Sequence, residues 1–423
     1  MPISYSAELL LLHKSTAMQR SLQRWFVLFL VALCSTVQLH AKRLPIFYRP
    51  GDSVTLSLLY ISPVPGLQTA FGHSQIRLIN HNLRTDQVID FTGYSYESTL
   101  HFLWQFLYGD IYYDIFSKPT EAMYKEERTI YELPLLLTKD QKDTLIEYLK
   151  GKYFFHSGGS YLYDYLKKNC STIMRDILKT TYGPELRFPP KIDSTKTFRQ
   201  LYRDGLIRNP WIRFFSDIVL GPYNDRIPTK EEQMFAPKYL YLYFKDATVG
   251  QRPATGHPIR LIAFPEPPLP KWYHYPHPYT WALLLIEILY SLYLLRRRIF
   301  TLRLFDRLWF GIAGAFGVFI LSLWMFSNYS YLGVGNVNVL WLNPLMLLLT
   351  FAPTKMTKLR PLVYLLWLLS FAVLVGMPFY TQRLHEAFIP LILVNLIKLT
   401  RLLLGPRYHA NTARTTAEAN TPA

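Results

Sequence analysis

The apolar residues of this chain concentrate at its two ends. Near the N-terminus an apolar run, residues 25–39, follows several basic residues and precedes Ala41, which stands at a possible cleavage point. This pattern is typical of an export signal, and we predict a signal peptide or an uncleaved signal anchor over residues 1–41. Met18 would begin a better-proportioned signal than Met1, so both starts stay open.

Five further apolar runs fill the C-terminal third of the chain. Each is close to the ~20 residues that a helix needs to cross the hydrocarbon layer. The runs cover residues 279–295, 308–326, 338–353, 361–380 and 387–404. We therefore predict an all-α bundle of five transmembrane helices over residues 279–404, followed by a disordered cytoplasmic tail over residues 405–423.

The basic residues between these runs predict the orientation. Arginine and lysine are dense after the first run, after the third run and at the C-terminal end, whereas loops 327–337 and 381–386 carry only Arg383. Basic loops stay in the cytoplasm, so the first helix enters the membrane from outside. The export signal places the same region outside by an independent argument. We predict a multi-pass protein of the inner (cytoplasmic) membrane with a periplasmic N-terminal domain.

The charge and the cysteine count are interpreted through this topology. The formal net charge is +17, but part of it belongs to cytoplasmic loops, so it does not indicate nucleic-acid binding. The remainder favours an anionic lipid surface. The chain has two cysteines, and Cys34 falls within the predicted signal. Cys170 then stands alone in an oxidising compartment, which excludes an intrachain disulfide in the mature protein.

Residues 42–250 alternate between strand and helix patterns, which predicts a separate α+β domain. Two of the strands are separated by a polar, turn-like stretch and are expected to form a hairpin. Strands are predicted at 53–62, 71–79, 86–94 and 129–137, and helices at 138–153 and from Cys170 to a stop at Gly183. The proline-rich segment 251–278 is expected to be an extended tether that leads into the first membrane helix.

A possible reactive site combines the predicted helix start with the hairpin. If Asn169 caps the helix, Cys170 lies in the first turn on its apolar face, where unpaired N–H groups favour a thiolate or hold an oxyanion. His73 is the candidate base. Asp90 is the first choice to orient the imidazole and Asp86 the second, since register cannot be read from sequence. Taken alone, however, such a cysteine is more often a small buried residue.

Several segments in order resemble the Lnb N-terminal periplasmic domain family. They are "FGHSQIRL", "DQVIDFTGYSY", "FLWQFLYGDIYY" and "YLYDYLKKNCSTIMRDIL", and the later "NVNVLWLNPL" resembles a segment of the family's membrane part. The resemblance implies a papain-like fold of the permuted NlpC type, with His73 preceding Asn169-Cys170 in the chain. It also implies lipoprotein N-acylation, with membrane phospholipid and lipoprotein as partners. Where the family usually has asparagine after its first hairpin turn, this chain has Asp90.

Two positions in the membrane part are further candidates. Glu287 is a carboxylate near the middle of the first predicted span, where a charge is costly unless it is paired, protonated or facing a cavity. Asn343 lies at the outer mouth of the third span, where it either binds a headgroup or the lipoprotein terminus or caps the helix.

These observations favour a cysteine-dependent lipoprotein N-acyltransferase that carries the acyl chain as a Cys170 thioester, and they indicate neither a metal nor a cofactor. Two other readings stay open. One is a periplasmic cysteine amidase or peptidase that acts on cell-wall peptide. The other is a non-enzymatic membrane scaffold or binding protein.

Overall fold

The computed structural model describes residues 46–94, 98–150, 160–329, 331–352 and 357–419. An α+β domain occupies the N-terminal part of these residues, and a helical region follows it. The predicted export signal over residues 1–41 lies outside the described residues.

The main sheet has seven strands in the order β10-β5-β1-β2-β3-β4-β6, and all its neighbours are antiparallel. A smaller sheet has the order β7-β8-β9. The strands of the described residues are β1 (Val54–Ile61), β2 (His73–Asn80), β3 (Thr85–Gly93), β4 (Tyr112–Pro119), β5 (Ile130–Pro134), β6 (Ser160–Leu162), β7 (Leu186–Arg187), β8 (Thr248–Val249), β9 (Arg252–Pro253) and β10 (Ile259–Ile262).

The helices of the described residues fall into two groups, with eight in the α+β domain and six in the membrane region. The first eight are α1 (Thr99–Tyr108), α2 (Glu121–Tyr124), α3 (Lys139–Tyr148), α4 (Cys170–Tyr182), α5 (Phe198–Gly205), α6 (Pro210–Val219), α7 (Lys230–Gln233) and α8 (Pro237–Lys245). The other six are α9 (Pro276–Arg296), α10 (Leu304–Phe326), α11 (Asn338–Trp341), α12 (Met346–Thr350), α13 (Arg360–Gly376) and α14 (Phe388–Ala419).

The predicted hairpin is confirmed, because β2 and β3 pair directly, with Ile76 opposite Ile89. The helix starts are confirmed as well. Thr138 caps α3 and Asn169 caps α4, each through a capping box in which side chain and backbone satisfy each other's donors. Local chemistry thus determines where these elements begin.

The apolar face of α4 packs on the inner strands of the sheet. Ile173, Met174, Ile177 and Leu178 are all buried on this face, as the spacing of three and four residues predicts. The helix contacts β2 and β3 and is flanked by α3 and α8. The N-terminus of α4 is therefore held against the hairpin.

The proline-rich segment is only partly an extended tether. β10 pairs with β5 and becomes an edge strand of the main sheet, while residues 263–271 form no regular element. The short apolar stretch Ile259–Ile262 can add to an exposed sheet edge, and edge positions tolerate neighbouring prolines. The segment 251–278 is therefore not a tether along its whole length, because Ile259–Ile262 belongs to the main sheet and residues 276–278 begin α9.

Three membrane-region helices are long and apolar enough to span a bilayer: α9, α10 and the Phe388–Gly405 part of α14. The other two predicted spans are shorter, at Asn338–Thr350 and Arg360–Gly376. The third predicted run is not one continuous helix, because it divides into α11 and α12 at Pro344. Proline lacks an N–H donor and disfavours helical backbone at the preceding residue, here Asn343.

The C-terminal tail differs from the prediction of disorder. Helix α14 runs to Ala419 rather than ending near residue 404. The helix continues through Gly405 and Pro406, and residues 407–419 contain no further glycine or proline that would end it.

The α+β domain docks on the loops that the charge pattern places outside. Asn336 donates from Nδ2 to the Ile218 carbonyl at 2.7 Å, and Gln382 donates from Nε2 to the Leu220 carbonyl at 3.2 Å. The two loops that lack basic residues apart from Arg383 therefore lie on the same side as the domain. This arrangement agrees with the predicted orientation.

Candidate active site

The position of His73 depends on the glycine before it. Gly72 has φ +81°, in the left-handed region that favours glycine, and a Cβ there would lie 2.6 Å from the Ile61 carbonyl oxygen. The close approach places His73 at the first position of β2, directly opposite Ile61 on β1. The side chain of His73 is mostly buried, with 12% of it exposed.

Asp90 of β3 binds the imidazole. Its Oδ1 lies 2.8 Å from His73 Nε2 and accepts from the Thr92 hydroxyl at 2.8 Å. Its Oδ2 accepts from Gln75 Nε2 at 2.6 Å and lies 3.1 Å from Lys118 Nζ. A buried carboxylate is stable only when its oxygens are paired or hydrogen-bonded, and here both oxygens of Asp90 have partners.

Cys170 lies on the other side of the same imidazole. It is the first residue of α4, is buried, and interacts electrostatically with His73. Because Nε2 faces Asp90, Nδ1 is the ring nitrogen left for the sulfur. The Ser171 hydroxyl lies 3.8 Å from the sulfur, and the backbone of Ser74 also helps to lower the pKa of Cys170. A thiol, an imidazole and a carboxylate thus form one continuous chain of contacts.

The pKa values of the three groups favour a thiolate–imidazolium pair. Burial lowers the pKa of His73, but the charge of Asp90 and the sulfur of Cys170 outweigh burial and raise this pKa to about 10. Burial also raises the pKa of Cys170, yet the charge and hydrogen bond of His73 outweigh it and lower this pKa below its usual value. Despite burial, the charges of His73 and Lys118 hold the pKa of Asp90 far below its usual value.

The donors available for an oxyanion are fewer than the helix start suggests. The Asn169 side-chain oxygen already accepts from the N–H groups of Ser171 and Thr172, at 2.9 and 3.0 Å. The Ile173 N–H donates to the Asn169 carbonyl at 3.0 Å. Of the first-turn donors, this leaves the Cys170 N–H as the candidate for binding an oxyanion.

Asp86, the second choice for orienting the imidazole, lies elsewhere on the sheet. It accepts from Arg77 Nη2 and from the Thr120 hydroxyl, both at 2.6 Å. Arg77 in turn donates to Glu132 at 3.1 Å. Asp86 therefore belongs to an ionic cluster further along the β2–β3 pair.

Sequence reasoning missed three partners of Asp90, namely Gln75, Thr92 and Lys118. Thr92 and Gln75 lie close in sequence to Asp90 and His73, but their pairing depends on the hairpin register. An acidic partner for Lys118 could have been predicted from the sequence, because a lysine inside a largely apolar strand is expected to be paired.

The two membrane candidates lie apart from this cluster. Glu287 is fully buried, accepts from the Ser291 hydroxyl at 2.7 Å and lies 2.6 Å from Lys398 Nζ. Asn343 accepts from the Leu345 N–H at 3.0 Å, at the break between α11 and α12. Neither makes a described contact with Cys170 or His73.

One group in the described part of the chain has the composition of a metal site. His277, His385 and Glu386 offer ligand atoms that lie within 4.8 Å of one another. However, the Ala387 N–H donates to His385 Nδ1 at 3.1 Å, and Arg213 lies 3.8 Å from Glu386. These contacts already engage two of the three prospective ligands.

A cavity of about 560 Å³ lies beside the site, at the junction with the membrane region. Ile173 and Ile177 of α4 line one wall, Tyr163 another, and Asn328 and Tyr329, just beyond α10, a third. Burial raises the pKa of Tyr163 well above its usual value, and the charges of Tyr113 and Cys170 add to this effect. Cavities of this size at domain boundaries are common ligand sites.

Together the fold and this cluster define a membrane protein whose periplasmic α+β domain presents a cysteine–histidine–aspartate arrangement beside the bilayer. Residues 48–204 match the family model of the Lnb N-terminal periplasmic domain, and residues 270–406 match that of the Lnb transmembrane domain. The two matches together cover more than half of the chain, which therefore belongs to the Lnb family. No curated protein and no solved structure matches the chain.

Proposed function

We propose that this protein is a lipoprotein N-acyltransferase that moves an acyl chain through a Cys170 thioester to the N-terminal amine of membrane lipoproteins. The observation that carries the proposal is the contact of Cys170 with His73, whose far nitrogen lies 2.8 Å from Asp90. This arrangement supplies a nucleophile, a proton carrier and a group that orients the carrier.

The first half-reaction uses the thiolate–imidazolium pair. The Cys170 sulfur attacks the ester carbonyl of a glycerolipid, so that a C–S bond forms and the C–O ester bond breaks. The His73 imidazolium gives its proton to the departing glycerol oxygen. The Cys170 N–H stabilises the negative charge on the carbonyl oxygen during the attack.

The second half-reaction regenerates the pair. The α-amine of the lipoprotein's N-terminal cysteine attacks the thioester, so that a C–N bond forms and the C–S bond breaks. The neutral imidazole of His73 takes the proton of the amine, and the thiolate leaves. Asp90 remains ionised throughout and stabilises the imidazolium, because it keeps its hydrogen bond to Nε2.

The location of the site supports a lipid donor over a soluble one. Loops 327–337 and 381–386 hold the α+β domain against the outer ends of the membrane helices. The cavity that adjoins Tyr163 is also bounded by Asn328 and Tyr329 of the membrane region. The acyl chain of a lipid that leaves the outer leaflet would enter this cavity before it reached Cys170.

The decisive experiment replaces Cys170 by serine or alanine in cells that have no other copy of the enzyme. We expect the variant to reach the membrane in normal amount while its lipoproteins keep free N-terminal amines, as seen by mass spectrometry of their N-terminal peptides. Unchanged N-acylation with the Cys170→Ala variant would refute the proposal.

The other readings predict different results in the same material. A cell-wall amidase or peptidase would release product to water and would change the muropeptide profile in the Cys170→Ala strain, with lipoprotein N-termini unaffected. A scaffold would show no His73-dependent labelling of Cys170 by an acyl-activated probe.

A further inference from the structure

Helix α1 lacks the polar face that a surface helix needs. Its residues Thr99–Tyr108 include no aspartate, glutamate, lysine or arginine, and the polar ones are Thr99, His101 and Gln105. A helix that is apolar on nearly all sides is expected to be buried. Yet the side chains of Leu100 and Trp104 are 70% and 59% exposed. They are four residues apart and therefore share one face.

The C-terminal end of α1 contacts a membrane-spanning helix directly. The Tyr108 hydroxyl lies 2.6 Å from the Ser322 hydroxyl of α10, and the Asn328 N–H donates to the Tyr108 carbonyl at 2.9 Å. At the same end of α10, Met325 and Phe326 are 71% and 67% exposed. Lipid covers such side chains in a spanning helix, so the C-terminal end of α1 lies at the level where α10 leaves the bilayer.

Aromatic side chains mark the same level. The rings of Trp104 and Tyr108 stack at 4.3 Å between centroids, and tryptophan and tyrosine are enriched where membrane meets water. On α6, the ring of Trp211 lies 5.7 Å from that of Tyr279 at the outer end of α9. The α+β domain therefore touches the outer ends of two spans through aromatic residues.

We propose that α1 lies in the outer-leaflet interface of the bilayer, with Leu100 and Trp104 inserted among the lipid acyl chains. An interfacial helix buries an apolar face at the boundary of headgroups and acyl chains, and in α1 the opposite face is held by the protein core instead of by water. Here Phe102 is buried in the domain core, and lipid covers the opposite face, which carries Leu100 and Trp104. Gly109, which ends α1, also lines the cavity beside α4, so this face adjoins the route from the leaflet to the cavity.

The two natural cysteines make a clean test possible. Cys34→Ala and Cys170→Ala give a full-length chain without thiols, into which Leu100→Cys, Trp104→Cys or Leu136→Cys is introduced singly and labelled with an environment-sensitive fluorophore. Leu136 is the matched control, because it is apolar and 53% exposed but lies at the end of β5, on the opposite side of the sheet order from β4 and β6. Each protein is reconstituted in phosphatidylethanolamine–phosphatidylglycerol vesicles.

We expect nitroxide-bearing acyl chains to quench the labels at positions 100 and 104 several-fold more strongly than iodide added on both sides of the membrane. The label at position 136 is expected to show the reverse order. The proposal fails if positions 100 and 104 respond like position 136. It also fails if both are protected from both quenchers, since a protein partner or a second copy of the chain would then cover the face. Leu100→Cys alone decides the outcome if loss of the Trp104–Tyr108 stack destabilises the other variant. This readout does not depend on acyl transfer.

Discussion

At the scale of single residues, the imidazole of His73 lies between a carboxylate and a sulfur. Asp90 and Cys170 raise the pKa of His73 to about 10, and His73 in turn lowers the pKa of Cys170. The ion pair therefore exists between the lowered pKa of the thiol and the raised pKa of the imidazolium. Outside this pH window one partner loses its charge.

The first prediction concerns the pH dependence of thiol reactivity. In a Cys34→Ala background, iodoacetamide should alkylate Cys170 of the otherwise unchanged protein with a midpoint below the usual thiol pKa. His73→Ala removes the charge that offsets burial, so the midpoint should rise by at least one pH unit. His81→Ala is the control, because His81 bonds to Thr55 at the far end of β2. Equal midpoints for His73→Ala and the parent protein would contradict the ion pair.

The second prediction separates the two aspartates of β3. Asp90→Asn keeps the shape but removes the charge that holds the imidazolium, so acyl transfer should fall by about 10²–10⁴-fold. Asp86→Asn should leave the transfer rate within about threefold and lower thermal stability instead, because Asp86 pairs with Arg77. The rates are measured from N-acylation of a lipoprotein by mass spectrometry. Similar rate losses in both variants would show that Asp90 has no special role.

At the scale of elements, the start of α4 positions Cys170, the proposed nucleophile. Asn169 accepts from the N–H groups of Ser171 and Thr172, and its Nδ2 donates to the carbonyls of Tyr165 and Phe235, both at 2.9 Å. One buried side chain therefore caps the helix and ties its first turn to two neighbouring segments. The direction of the Cys170 side chain depends on this turn.

The third prediction tests that cap. Asn169→Ala should destabilise the domain by roughly 1–2 kcal/mol from the cap alone, and by more because two buried carbonyls lose their donor. Asn169→Asp keeps the acceptor but places a buried negative oxygen against the two carbonyls, so this variant should also be less stable than the parent protein. Urea unfolding followed by tryptophan fluorescence measures the difference. An alanine variant as stable as the parent would show that the cap is dispensable.

At the scale of the whole molecule, an ionic network holds the membrane helices together. Lys398 of α14 lies 2.6 Å from Glu287 of α9 and 3.0 Å from Asp306 of α10, and Arg401 also pairs with Asp306. All four side chains are almost completely buried. The network is neutral overall, and it connects the three helices that are long enough to span the bilayer. Each charge is tolerated there because its partner is present.

The fourth prediction addresses this network. Lys398→Met leaves Glu287 without a cation, so the bundle should lose about 3–5 kcal/mol of stability. Adding Glu287→Gln removes the unpaired charge and should restore most of the loss, while Asp306 keeps Arg401. Thermal aggregation of the detergent-purified proteins provides the readout. A double variant no more stable than Lys398→Met would exclude charge pairing as the cause.

The sequence alone predicted features that depend on local chemistry. The capped start at Cys170, the helix after Thr138, the hairpin and the outward position of the α+β domain all follow from periodicity, capping residues and charge bias. These signals act over a few residues and need no knowledge of distant partners. The same reasoning failed at β10 and at the tail, where short segments adopted whichever structure their surroundings allowed.

Only the tertiary structure decided which distant residues meet. Strand register brought Asp90 rather than Asp86 to His73, and the packing of α4 on β2 brought Cys170 to the other side of the ring. Glu287 pairs with Lys398, and Asp90 pairs with Lys118. Both lysines are distant in the chain from their acidic partners, so no local pattern predicts either pair. Buried charges must find opposite charges, but three-dimensional packing alone determines which ones are within reach.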